Sequence, residues 1–189
     1  MSLYAPLKTE LGLSLMRYWD ELRGGRLMPL RSEIDLRPIK HALPYLVIYE
    51  PRSPTECLLR LVGTAIRDML GREITGQNLF ALSPAEVRRG RSWRFWSAAT
   101  HPCGHYFHMP VTFPHDMVSI HEGFSLPLRP EQADAPALLF GLFVPVAGEH
   151  WLNRDPITQL NVTQDHGFID IGAGVPASLE PPPSYRYFD

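Results

Sequence analysis

The sequence predicts an α+β domain: one antiparallel five-stranded sheet with helices on one face and an amphipathic helix flanking it on the N-terminal side. Three observations carry this. Apolar residues recur at helical spacing over Thr9 to Arg23 and over Ala85 to Thr100, whereas alternation marks strands before and after the second of these. Cys57 to Leu82, CLLRLVGTAIRDMLGREITGQNLFAL, reads as a strand, a glycine break, a short helix and a second glycine-bounded turn. From Tyr106 onward, three strand-like runs are joined by short proline-containing turns, the connection that antiparallel neighbours need.

The elements follow in order. Leu11, Leu15, Trp19 and Leu22 form a stripe at spacings of three and four, and Gly24 and Gly25 end that helix. The proline- and charge-rich segment after it is a connector with room for a short helix over Ser32 to Lys40. Leu46 to Tyr49 and Leu58 to Val62 make a hairpin around the turn PRSPTE. Ile66, Met69 and Leu70 mark a short helix capped by Gly71 in a left-handed conformation. Ser83 and Pro84 are an N-cap and first-turn pair for the long helix that carries Trp93, Trp96 and Ala99. The three later strands are Tyr106 to Phe113, Val118 to Leu128 and Ala137 to Val146, and Leu160 to Val162 or Phe168 to Ile171 offers one more. The predicted organisation is an N-terminal helix and connector over residues 1–45, a core over 46–147 and a partly mobile C-terminal extension over 148–189.

Composition narrows the class. A chain of 189 residues with 44% hydrophobic content supports one domain with a real core. A net charge of -2 argues against nucleic acid or an acidic bilayer as a default partner. Two cysteines are too few for a disulfide framework and suit a reducing cytoplasm. The longest apolar run, Ala137 to Ala147, is far short of the ~20 residues of a spanning helix, and the start MSLYAPLKTELGLSL lacks the features of a secretory signal, so a cytoplasmic protein is expected.

YWDELRGGRLMPLRSEIDLRPIKHALPYLVIYE, RLVGTAIRDMLGREITGQNL and EGFSLPL, in this element order, resemble the motifs of small stand-alone bacterial PAS-type proteins, over roughly Leu15 to Val146. The resemblance implies a PAS-like fold and a non-enzymatic sensory module that signals through dimer or partner contacts. It also implies a cleft between sheet and helices for a small molecule or protein partner. Candidate ligand-binding residues on the long helix and central strands are Trp93, Trp96, Phe107, Met109, His121 and Phe140. PAS-like domains often dimerise through a flanking helix, so the Leu11/Leu15/Trp19/Leu22 face is the expected homodimer contact.

Other chemistry is weighed against this. His101, Cys103, His105 and His108 have the ligand types for zinc or haem iron, but the spacing fits neither a zinc finger nor a CxxCH attachment, so no cofactor is expected. Arg88, Arg89, Arg91 and Arg94 interleave with Trp93, Phe95 and Trp96 as a phosphate or single-strand surface would, yet a helix with one charged and one apolar face explains them as well. Asp116, Glu122, Asp165, His166 and Ser125 could supply acid, base and nucleophile, but no catalytic fingerprint gathers them. A cone-shaped isomerase or dehydratase fold places its helices before most strands, which this chain does not.

Overall fold

The computed structural model describes residues 3–132, 135, 137–146, 155–163 and 165–187. One helix, α1 (Glu10–Arg23), precedes the hairpin β1 (Leu46–Ser53) and β2 (Glu56–Val62). Helices α2 (Thr64–Leu70) and α3 (Ala85–Thr100) follow, then β3 (Gly104–Thr112), β4 (Val118–Leu128) and β5 (Leu138–Pro145). Two short strands, β6 (Gln159–Leu160) and β7 (Asp165–Ile169), complete the order. The sheet is antiparallel with order β2-β1-β5-β4-β3, and β6 and β7 both lie along the free edge of β3. The sheet thus has seven strands instead of five, because the chain after β5 returns to cover an edge that would otherwise present unpaired backbone groups.

Both faces of the sheet are buried, which alternation along each strand makes possible. Tyr49, Leu59, Met109, Val111 and Phe143 form one core with Ile66, Met69, Phe80 and Phe95 from the α2–α3 side. Leu46, Phe124, Leu126, Phe140 and Leu142 form the other with Leu15, Met16 and Trp19 of α1. Helices α2 and α3 cover one face, as expected, and α1 flanks the other. Burial within the chain corrects the expected dimer contact at Leu15 and Trp19. Leu15 and Trp19 have no exposed surface, and the Trp19 Nε1 donates to the Pro127 carbonyl at 3.1 Å, so the chain's own sheet covers this face.

The connector does not form the short helix expected over Ser32 to Lys40. It takes two 3-10 turns, Arg31–Glu33 and Lys40–Tyr45, because Pro38 and Pro44 leave too few backbone donors for an α-helix. Two glycines do what the sequence asks of them. Gly71 takes φ 65° and its N–H returns to the Arg67 and Asp68 carbonyls, closing α2. Gly123, in the middle of β4, lies directly beneath the Phe107 ring, where a Cβ would collide with ring carbons. Ser83 does not cap α3: Pro84 holds that position, and the Ser83 hydroxyl instead donates to the Leu79 carbonyl.

The final described stretch of the C-terminal extension packs on the outer side of α3. Tyr185 packs edge-on to Trp93 with centroids 5.1 Å apart, Arg89 donates to the Pro182 carbonyl at 2.9 Å and Trp93 Nε1 donates to the Ser178 carbonyl at 3.1 Å. These aromatic contacts bury apolar surface that proline-rich composition alone does not reveal. Residues 148–154 of the extension lie outside the described residues.

Candidate functional site

Between the sheet and helices α2 and α3 lies a cavity of about 90 Å³. Val47, Tyr49, Leu59, Met69, Phe143 and Leu160 are among its walls. Helix α2 supplies Ile66 and Met69 to its wall, and the chain between α2 and α3, bonded to β2 through Leu59 and Cys57, adds Ile74 and Leu79. The mouth is strapped by the chain before β6: the Ile157 N–H donates to the Met69 carbonyl and the Thr158 N–H to the Thr112 carbonyl, each at 2.9 Å.

One ionic group lines this apolar cavity. Arg91 reaches in from α3, donating to Ser83 Oγ at 2.7 Å and resting 3.8 Å from Met109 Sδ. Burial lowers its pKa, since removing water disfavours the charged form. A smaller adjoining void of about 10 Å³ shares Arg91, Phe95 and Phe107 with the cavity and adds Arg94, His105 and Thr163. Arg94 is 7% exposed and is pushed down to about 10, first by burial and then by the charge of Arg91. His105 is 2% exposed, with its pKa held well below the ordinary histidine value, chiefly by burial. The Arg94 Nε, both His105 ring nitrogens and the hydroxyl of Ser125, the cross-strand partner of His105, find no hydrogen-bond partner among the described residues.

The candidate residues fall into three groups. Phe107 and Met109 line the cavity. His121 lies on the same sheet face, stacked on Phe143 with centroids 5.0 Å apart, and burial takes its pKa down to about 4. Trp93, Trp96 and Phe140 lie elsewhere. At 100° per residue Arg91, Phe95 and Ala98 share the inner side of α3, which turns Trp93 toward the C-terminal segment and Trp96 into a surface groove beside Glu50. Phe140 is on the opposite sheet face near Tyr18, because it lies two residues from Leu142 on β5 and directly across from Leu126 on β4, both of which face α1. Arg91 and Phe95 line the cavity and the adjoining void, and Arg94 lines the void. Their signal is the failure of α3 to separate charged from apolar positions, which a solvent-facing helix would do.

The histidine cluster is split by the pleat. His105 faces the cavity side, packed against Phe95 and Phe107, while His108 faces α1 and His101 is exposed at the end of α3. Cys103 is buried in the α2–α3 core and burial pushes its thiol up to about 12, which leaves a neutral, weakly ligating sulfur. Among the described residues no three His, Cys, Asp or Glu side chains are grouped to hold a metal ion.

Of the acid–base candidates, the structure gathers Glu122 and Asp165 around His108. His108 Nδ1 lies 2.9 Å from Asp165 and Nε2 lies 3.4 Å from Glu122. Glu122 is fully buried and accepts from the Lys8 backbone N–H and, at 2.5 Å, from Thr9 Oγ1, while Thr9 Oγ1 accepts from the Gly12 N–H at 2.9 Å. The carboxylate therefore sits at the positive end of α1 and fastens the helix to β4. Ser125 is on the other face of the sheet, and His166 is paired with Phe107, one position out of register with His108 and so on the opposite face, and neither joins this set.

The fold and the cleft define a sensory class of protein: an antiparallel sheet in the order 2-1-5-4-3 with helices arching over one face. The chain belongs to the PAS domain family, whose pattern it matches over residues 7–143. PAS domains are in general sensory and regulatory modules, and that role is this chain's in the same general sense. The match begins before α1 and so takes in the N-terminal helix that composition had set apart from a core starting at residue 46. No curated protein matches the chain. Among the described residues no helix is long and apolar enough to cross a membrane.

Proposed function

We propose that this PAS domain is a non-enzymatic sensor that takes a small molecule into the cavity between the sheet and α2–α3. It passes the occupied state to a protein partner or to a second copy of itself in the cytoplasm. The cavity carries the reading: about 90 Å³ of space between sheet and helices, walled by apolar side chains, with the chain before β6 held alongside by two backbone hydrogen bonds. Signalling follows from what α3 touches. Its inner face meets the cavity through Arg91 and Phe95, and its outer face holds the C-terminal segment through Trp93, Arg89 and Ser92. A ligand that moves α3 toward or away from the sheet shifts the grip on that segment, and only its differential affinity for the two positions sets how far. With Leu15 and Trp19 spent on the chain's own sheet, a dimer in this reading forms through another surface.

Titration with neutral pentanol, followed by methyl NMR, tests the cavity reading. Saturable shifts at Val47, Met69 and Met109, with none at Leu15 and Leu142 across the sheet, are expected. Unmoved cavity methyls, or equal movement on both faces, overturn it.

A further inference from the structure

We infer that the molecule this cavity accepts is a small amphiphilic acid, its apolar body among Val47, Met69 and Phe143 and its anionic head on the Arg91 guanidinium. The inference rests on the reading of the cavity as a ligand site and adds the charge of the ligand. Its first ground is an imbalance of charge. Arg91 and Arg94 sit one helical turn apart, and among the described residues neither forms an ion pair with a carboxylate. Arg91 has only a hydroxyl and a thioether as partners. The buried carboxylate of Glu50 is already taken by Arg52 and Arg60, and Arg26 meets Glu33 at two oxygens. Arg91 is half-buried and Arg94 buried, and guanidinium groups drawn out of water without a counter-charge carry a cost that a bound anion offsets.

The second ground is position. Arg91 lies on the seam between the apolar cavity and the smaller polar void, and only Phe95 and Phe107 share that seam with it. Beyond it the unpartnered Arg94 Nε, His105 ring and Ser125 hydroxyl sit on the polar side, and no carboxylate of the described residues lines either void. An occupant that is apolar at one end and anionic at the other satisfies both sides at once. The planar fork of Arg91 fits a carboxylate or phosphate oxygen pair, and the shared chemistry is the anion. The cavity volume of about 90 Å³ limits the apolar part to a short chain or small ring, since about 150 Å³ is what holds benzene in an engineered cavity.

Calorimetric or NMR titration of the full chain with pentanoate, pentanol and inorganic phosphate separates the possibilities. Pentanoate is expected to bind about tenfold tighter than pentanol, the size of one charge-assisted hydrogen bond, and to shift the Arg91 Nε–Hε resonance, which pentanol leaves in place. Arg91→Met is expected to abolish the preference while the ligand-free protein keeps or gains stability, because an uncompensated buried charge is gone. Arg91→Lys is expected to keep part of it. Should the methionine variant not fold, the Arg91 resonance in the wild-type chain decides alone. Equal affinity for pentanoate and pentanol overturns the anion and leaves the cavity reading standing. Phosphate binding as tightly as pentanoate overturns the amphiphile, and binding by none of the three overturns the inference together with the cavity reading.

Discussion

Trp19→Ala measures whether α1 belongs to its own sheet. Trp19 has no exposed surface, packs among Phe124, Leu126 and Phe140, carries the Arg23 guanidinium 5.2 Å from its ring centroid, and donates to the Pro127 carbonyl. An aromatic side chain of this kind buries roughly 150–250 Å², which at about 25 cal/mol per Å² sets an upper bound near 4–6 kcal/mol. Observed tryptophan-to-alanine losses in cores run at about 3–5 kcal/mol, and the orphaned Pro127 carbonyl places this site toward the upper half. Urea unfolding monitored by circular dichroism, at two protein concentrations tenfold apart, is the assay. The expected loss is about 4 kcal/mol at both. Trp93→Ala, which loosens the C-terminal segment on the outside of α3, is expected to cost about 1–2 kcal/mol, because that ring stays half-buried. A loss below about 1 kcal/mol for Trp19→Ala in a folded variant, or a loss that shrinks on dilution because the wild-type chain gives up a dimer contact, would refute the packing argued above.

Two further predictions follow from buried groups. His121 is held at about 4 by burial, against about 6.5 in an unfolded chain, so between those values the unfolded state binds a proton that the native state refuses. Stability is therefore full above about pH 6.5 and falls toward pH 4, by up to about 3 kcal/mol from this residue, with His105 acting in the same direction. His121→Phe should flatten that slope by about one proton in urea titrations across the range, and an unchanged slope contradicts the assignment. Gly123→Ala drives a Cβ into the Phe107 ring and should cost about 1–3 kcal/mol; paired with Phe107→Leu it should cost less than the two changes summed, and strict additivity in a double-mutant cycle counts against the contact.

Local pattern reached most of the fold because the signals involved are local. The stripe Leu15 and Trp19, the Gly71 cap and the alternation through β3 and β4 each follow from a few neighbouring residues, and each appears where its spacing puts it. What pattern missed depends on contacts distant in sequence. Pattern offered Leu160 to Val162 or Phe168 to Ile171 as one further strand, and it is the open edge of β3 that makes strands of both β6 and β7 and sets their bounds. The docking of Tyr185 on Trp93 joins residues 92 positions apart, which no window reveals. The rotation of α3 mattered most for the site. With two tryptophans and four arginines along one helix, hydrophobicity favours turning the tryptophans inward, yet the C-terminal segment offers Trp93 a cover of its own and Arg91 faces the cavity. Phe107 and Met109 sat within reach of sequence reasoning because strand alternation fixes their side of the sheet once Gly123 and its cover are recognised.

The most direct measurement of the central claim is the mass of the native protein compared with its denatured mass, for the wild-type chain and for Met69→Trp, whose added ring fills the cavity. The account predicts a native excess mass from a small co-purified molecule in the wild-type chain and its loss in the variant. Equal native and denatured masses for the wild-type chain after incubation with pentanoate, or an excess mass that Met69→Trp retains, would contradict it.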